Sequence, residues 1–149
     1  MKQEYLDNVN LERDNRRQML KCFHAETSKT TAIVNRFLGI RDKPINFIHL
    51  ITLFKIHEWI EVNDKVKFKL IEFNNSEAIF DTEMKRNGAF GGHRHDDCIE
   101  IAEVLKGVLF DVDSDKTYYK GDVLTIEAGK KHTPVALENT VLKVTFKKV

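Results

Sequence analysis

The stretch GGHRHDDCIEIAEVLKG, residues 91–107, contains two histidines and a glutamate at spacings that suit one shared site. His93 and His95 are separated by one residue, so on a β-strand both imidazoles lie on the same face. Glu100 opens the apolar alternating run after the turn-like DDC, and it returns to the histidines if the apolar face of that strand points inward. The stretch therefore predicts either a metal site or a cluster of polar side chains satisfied by hydrogen bonds.

A fourth ligand is predicted from a later part of the chain. His132 is the only other histidine beyond residue 64, and it follows an apolar strand pattern and a turn that contains Gly129. Such a turn is a suitable place to project a side chain into the mouth of a barrel. Three imidazoles and one carboxylate suit one divalent transition metal ion (Fe, Mn, Ni, Zn, Co or Cu) and suit Mg or Ca poorly. The predicted metal ligands are His93, His95, Glu100 and His132.

The polar neighbours of these ligands are expected in other positions. Arg94 alternates with the two histidines and is expected on the opposite, outer face. Asp96, Asp97 and Cys98 are expected in a solvent-side turn between the two ligand-bearing segments. The acidic run DVDSD, residues 111–115, lacks the glycine and the distal glutamate of a calcium loop, so it is interpreted as a solvated hairpin tip.

The chain from residue 65 onward has the pattern of an all-β domain. Short alternating or apolar runs are separated by the turn signals NN, NG, GG, DSD and AGKK. The runs are VKFKLIEF, SEAIFDTEM, EIAEVLKGVLFDV, KTYYKGDVLTIEAG and TVLKVTFKKV. Regularly spaced short strands of this kind predict a β-barrel or β-sandwich of about 85 residues.

The first part of the chain is interpreted as an N-terminal helical extension, residues 1–64, placed before a β-barrel domain, residues 65–149. Loose helical spacing of apolar side chains predicts two helices within residues 1–43. Residues 45–62 are predicted to be helical early and extended late. Residues 1–45 carry nine basic and six acidic residues, a difference of only +3. They are therefore interpreted as an arm that packs against a partner or forms a dimer, not as a DNA-binding module.

The overall composition is that of one globular domain. The 149 residues are 42% hydrophobic, and 24 basic against 23 acidic residues give a formal net charge of +1. This balance supplies no field for a polyanion, so nucleic acid is not implied as a partner. No apolar run reaches the roughly 18 residues of a membrane span, and the charged N-terminus does not resemble a secretory signal, so a soluble cytoplasmic protein is predicted. Two cysteines are too few for a disulfide framework.

The decisive stretch resembles the first motif of the cupin superfamily, G-x5-H-x-H-x3-4-E-x6-G. His93, His95, Glu100 and Gly107 stand at the intervals of that motif. The leading glycine is displaced, since Gly88 lies one residue late. All of the ligand positions of this motif are therefore matched.

The later stretch GDVLTIEAGKKHTPVA resembles the second cupin motif, G-x5-P-x-G-x2-H-x3-N. Gly121, Gly129 and His132 match it, while Glu127 stands at the proline position and Ala136 at the final asparagine position. Both departures are outside the ligand set. The resemblance covers roughly residues 65–149.

The resemblance implies a mainly β fold, a double-stranded β-helix or cupin jelly-roll barrel, with one metal ion in its mouth and often a homodimer. It implies a small-molecule substrate or ligand beside the metal. An oxygenase or isomerase is the expected enzyme class, with Glu100 as general base if it leaves the metal. The alternative is a non-catalytic, regulatory cupin that senses a small ligand or binds a protein partner.

Overall fold

The structure of the protein is a computed structural model that describes residues 44–149. The two helices predicted within residues 1–43 lie outside the described residues. The described part contains one helix, α1, at Phe47–Thr52, followed by nine strands. In chain order the strands are β1 Trp59–Asn63, β2 Val66–Phe73, β3 Glu77–Met84, β4 Cys98–Lys106, β5 Val108–Asp111, β6 Lys116–Tyr119, β7 Val123–Ile126, β8 Pro134–Ala136 and β9 Thr140–Lys148. The predicted mainly β fold is confirmed, and all of the runs predicted as β form strands.

The strands form two antiparallel sheets. The larger sheet has six strands in the order β1-β2-β3-β9-β4-β7, and the smaller has three in the order β6-β5-β8. Two isolated bridges, Ala89 with Val135 and His93 with His132, add the segment after β3 to the edge of the smaller sheet. Strands far apart in the chain, such as β3 and β9, are therefore neighbours, as in a jelly roll.

The core lies between the two sheets. In β3, β4 and β9 every second side chain is buried over most of the strand, because successive side chains of a strand point to opposite faces. Leu70 from the larger sheet and Leu109 and Val135 from the smaller sheet have at most 1% of their surface exposed. Burial of such side chains is the main stabilising contribution of the fold.

The segment before β2 adopts the predicted order, with the helix early and the strand late. Ile45 and Phe47 are buried in the core. Ile45 N donates a hydrogen bond to Arg94 O at 2.8 Å, and Phe47 N donates to Asp97 Oδ1 at 2.8 Å. This segment therefore covers the predicted ligands from one side. Within residues 44–149, no helix is long and apolar enough to cross a membrane. The division of the chain at residue 64 remains a prediction.

Gly107 joins β4 to β5 in a backbone conformation that disfavours any other residue. Its φ is +89°, in the left-handed region. A Cβ at this position would also collide with the Asn139 carbonyl oxygen and lie 2.5 Å from Thr140 Oγ1. Gly121 has a similar φ of +93° but has open space around the position of a Cβ.

We expect Gly107→Ala to lower the free energy of unfolding by about 2 kcal/mol or more, because backbone strain and a steric clash act together. Gly121→Ala, the matched control, has only the backbone strain and should cost about 1 kcal/mol. Urea unfolding followed by circular dichroism measures both values. Equal losses in the two variants would contradict the close approach at Gly107.

Candidate metal centre

The backbone brings His93 and His132 together at the edge of the smaller sheet. His93 N donates to His132 O at 3.0 Å, and His132 N donates to His93 O at 2.9 Å. Residues paired in this way in an antiparallel ladder place their side chains on the same face. Their imidazole ring centroids are accordingly 4.2 Å apart.

His95 and Glu100 lie on either side of a short bend at residues 96–97, and both side chains extend toward the His93 and His132 rings. Glu100 is the third residue of β4 and stands opposite Ile126 of β7 and Phe146 of β9. Its side chain is buried, as the sequence predicts for an inward-facing position. His95 is also buried, and its ring lies 5.0 Å from the Phe146 ring.

The structure brings all of the predicted ligands into one cluster. Each of the four side chains offers one possible ligand atom, and these atoms all lie within 4.8 Å of one another. Glu100 Oε1 lies 3.2 Å from His95 Nε2 and 3.5 Å from His132 Nε2. The members of this cluster are His93, His95, Glu100 and His132.

Backbone carbonyls fix the orientation of two of the rings. His93 Nδ1 lies 2.9 Å from Gly91 O, and His95 Nδ1 lies 2.6 Å from Ile45 O. A carbonyl accepts only, so in each ring Nδ1 carries the proton and a neutral imidazole has its lone pair on Nε2. This is the arrangement that prepares a histidine to bind a metal through Nε2.

Two buried nitrogen atoms indicate that the side chains of the cluster fit a metal ion. His95 Nε2 and His132 Nε2 are buried and have no hydrogen-bond partner among the described residues, although both lie near Glu100 Oε1. Buried polar atoms are almost always partnered, so two such atoms facing one carboxylate require an explanation. Three nitrogen donors and one oxygen donor around a common point fit a first-row transition metal.

Charge is distributed unequally within the cluster. Burial alone raises the pKa of Glu100, but His132 and His95 beside it lower the pKa by more, to about 2. Burial lowers the pKa of His95, yet the Glu100 carboxylate, whose Oε1 lies 3.2 Å from Nε2, outweighs burial and the net pKa is raised. Glu100 is therefore an ionised carboxylate at neutral pH.

His93 and His132 have lowered pKa values, in contrast to His95, and so remain neutral at a lower pH. Burial lowers the pKa of His93, and the charges of His132 and His95 lower it further. Burial also lowers the pKa of His132, against the opposing effect of Glu100. Neutral imidazole is the form that binds a metal.

The structure corrects the position predicted for Cys98. Residues 96–97 form the expected bend, but Cys98 is the first residue of β4 and is fully buried instead of lying in a solvent-side turn. Burial, followed by the charges of Asp97 and Glu100, raises the pKa of its thiol to about 12. Arg94 lies on the outer side as predicted and pairs with Asp96 at 3.1 Å.

The acidic run 111–115 is also only partly a solvated tip, because its first residue is buried. Asp111 has 4% of its surface exposed. Its Oδ1 accepts a hydrogen bond from Thr133 N at 2.9 Å, and its Oδ2 accepts one from Ser114 Oγ at 2.6 Å. Thr133 Oγ1 donates to Asp113 Oδ2. These bonds hold the residue that follows His132, a role that the sequence analysis missed although the apolar run VLF before Asp111 could have indicated its burial.

A cavity of about 80 Å³ adjoins the cluster on the inner side of the barrel. Its wall is largely apolar, and five phenylalanines contribute to it: Phe54, Phe68, Phe80, Phe90 and Phe146. Several of these rings meet edge to face, for example Phe54 and Phe80 with centroids 5.1 Å apart. The cluster therefore forms the polar end of an otherwise apolar chamber.

Similarity to known proteins is found at the level of structure. KdgF from Halomonas sp. is 19% identical, covers 62% of this chain and 89% of that chain, and has a TM-score of 0.58. An RmlC-like cupin from Shewanella frigidimarina is 18% identical, with coverage of 64% and 90% and a TM-score of 0.55. Rhodobacter sphaeroides SigE in complex with the anti-sigma ChrR matches at 18% identity over 61% of this chain and 48% of that chain, with a TM-score of 0.54.

At the level of sequence, no family model matches the chain and no curated protein matches it. The structural matches nevertheless establish the fold. The protein has the cupin fold, a double-stranded β-helix, as the two motifs imply.

We expect Asp111→Ala to lower the affinity for a divalent transition metal by about tenfold or more, because His132 loses the hydrogen bonds that fix the neighbouring Thr133. The measurement is Zn²⁺ affinity by competition with a chromophoric chelator. Asp122→Ala is the matched control, since Asp122 Oδ2 accepts a bond from Tyr119 N at 2.8 Å in a turn that holds no ligand. Equal affinities in the Asp111 variant and the unmodified protein would exclude this positioning role.

Proposed function

We propose that this cupin-fold protein binds one divalent transition metal through His93, His95, Glu100 and His132 and acts on a small molecule held in the adjoining cavity. The observation that supports the proposal is the convergence of four possible ligand atoms within 4.8 Å, three of them on buried side chains. Two of these atoms are nitrogens with no hydrogen-bond partner among the described residues. A bound divalent metal supplies Lewis-acid chemistry, polarising an oxygen atom of the small molecule. The metal would be held by the Nε2 atoms of His95 and His132, the His93 ring and the Glu100 carboxylate.

The chain contributes orientation and exclusion of water. The carbonyls of Gly91 and Ile45 fix the His93 and His95 rings through Nδ1, so these rings need no rearrangement when they bind a metal. The phenylalanine-lined wall excludes bulk water and favours an organic molecule with an apolar body. Electrostatic interactions in such a chamber are stronger than in water.

Glu100 is the acidic side chain in the cavity wall, so in the catalytic form of the proposal it accepts a proton from the substrate. Because Glu100 is also a ligand in this proposal, it would accept a proton only after leaving the metal. Oxygenation and isomerisation of an oxygen-bearing substrate are the reaction classes that we propose, since both suit a metal with mixed nitrogen and oxygen ligands.

The second candidate function is a regulatory cupin that senses a small ligand or binds a protein partner. Its support is that one structure of similar fold is the complex of SigE with the anti-sigma ChrR. The same metal cluster and cavity would then hold a ligand without converting it. A homodimer and a cytoplasmic location remain predictions in both cases.

Metal analysis tests the central claim. Protein purified without added metal and then equilibrated with Co²⁺ or Zn²⁺ should hold about one ion per chain by elemental mass spectrometry. The double variant His93→Ala/His132→Ala should hold close to none, because two of the four donors are removed. His57→Asn is the matched control: His57 is exposed and has a φ of +67°, which asparagine tolerates. Circular dichroism should show the same β content in all three proteins, and undiminished metal content in the double variant would place the metal elsewhere.

Catalysis and sensing are distinguished by the fate of the bound molecule. A metabolite extract is incubated in air with the metal-loaded protein and analysed by mass spectrometry. Catalysis predicts that at least one compound is depleted as a product accumulates over many equivalents of protein. Sensing predicts that a compound co-purifies with the protein and is recovered unchanged. Conversion by the His93→Ala/His132→Ala variant at the same rate would contradict the metal-dependent mechanism.

A further inference from the structure

Thr82 interrupts the apolar wall of the cavity. It lies on the inward face of β3, where its neighbours on the same face are Phe80 and Met84. Across the sheet it stands opposite Phe68 of β2 and Leu142 of β9, and all of these side chains line the cavity. One polar residue, Thr82, therefore takes part in a wall that is otherwise made of apolar side chains on this face of the sheet.

The Thr82 hydroxyl is buried without a partner. The residue has 2% of its surface exposed, and Oγ1 makes no hydrogen bond to any described residue. Burying a hydroxyl without a hydrogen bond is destabilising, and valine would fill the same volume without that cost. Thr140 is a contrasting buried threonine, because its Oγ1 donates toward Val108 O at 3.1 Å or Glu138 O at 2.8 Å.

The size of the cavity limits what such a hydroxyl can meet. A volume of about 80 Å³ is several times the 10–15 Å³ that one water molecule requires. The space therefore suits a molecule of roughly six to eight non-hydrogen atoms. Such a molecule would have the cluster of His93, His95, Glu100 and His132 at one polar boundary and Thr82 on an otherwise apolar wall.

We propose that Thr82 is a specificity-determining residue whose hydroxyl hydrogen-bonds a second polar group of the bound molecule. This inference rests on the proposed function. The substrate or ligand class that it defines is a small acid or other oxygen-bearing compound with a metal-binding oxygen group at one end. An apolar middle portion lies against the phenylalanines, and a hydroxyl or carbonyl group lies beyond it. A hydrogen bond to an otherwise unsatisfied buried group gives strong discrimination against analogues that lack the group.

Thermal unfolding of the metal-free protein tests whether the hydroxyl is unsatisfied in the absence of a ligand. We expect Thr82→Val to raise Tm by about 3 °C, because an unpartnered buried hydroxyl is removed. Thr140→Val, the matched control, should lower Tm because it removes a partnered hydroxyl. A lower Tm for Thr82→Val would show that its hydroxyl already has a structural partner and would overturn the proposal.

Ligand binding to the Co²⁺-loaded protein tests the specificity. The probes are propanoate, butanoate and pentanoate and the corresponding ω-hydroxy acids, with binding followed by the visible spectrum of the cobalt. The unmodified protein should bind the hydroxy acid of optimal length about tenfold more tightly than the alkyl acid of equal length. Thr82→Val should bring this ratio close to one without changing cobalt affinity, and Thr82→Ser should preserve it.

The outcomes separate the two proposals. Failure of the protein to take up cobalt would overturn the proposed function and the role of Thr82 together. Cobalt uptake without a preference for any hydroxy acid would overturn only the role of Thr82, and would indicate that its hydroxyl meets water. A preference that persists unchanged in Thr82→Val would assign the discrimination to another residue.

Discussion

An ionised carboxylate buried at the start of β4 is the constraint on which the rest of the site depends. Glu100 is 7% exposed, and a charge in such a position requires compensation from nearby groups. The histidines around it provide that compensation, since His132 and His95 lower the pKa of Glu100 to about 2. Two imidazole nitrogens in this arrangement have no hydrogen-bond partner within residues 44–149, which is unfavourable for a polar cluster and suitable for a metal centre.

The scaffold holds this arrangement from several directions. The backbone pair between His93 and His132 sets the distance between two of the rings. The carbonyl of Ile45, before α1, fixes a third ring through His95 Nδ1. Asp111 holds the turn beside His132. The side chains of the cluster are thus positioned by elements from different parts of the chain, and such preorganisation suits the proposed metal site.

The cavity beside the cluster is the part of the fold on which the proposed function depends. Alternation along β3 and β9 places apolar side chains on the inner surface, and the phenylalanines among them give the cavity its apolar wall. Among residues 44–149, the polar side chains in its wall are those of the cluster and Thr82. The proposed selection of an amphiphilic compound, whether the protein converts it or senses it, rests on this uneven distribution of polar groups.

The sequence alone predicts most of the strands, though not β8, and the set of side chains that form the cluster. Period-two alternation and the one-residue separation of His93 and His95 are local properties that hold wherever the strand lies. Three features became evident only from the folded structure: Cys98 is buried, Asp111 supports the His132 turn, and the Ile45 carbonyl orients His95. The Asp111–Thr133 bond joins residues 22 apart in the chain, and the Ile45–His95 bond joins residues 50 apart. Both bonds therefore depend on sheet register and on the path of the loops. The local spacing of residues carries no information about register or loop path, because the same strand pattern is compatible with many neighbouring strands.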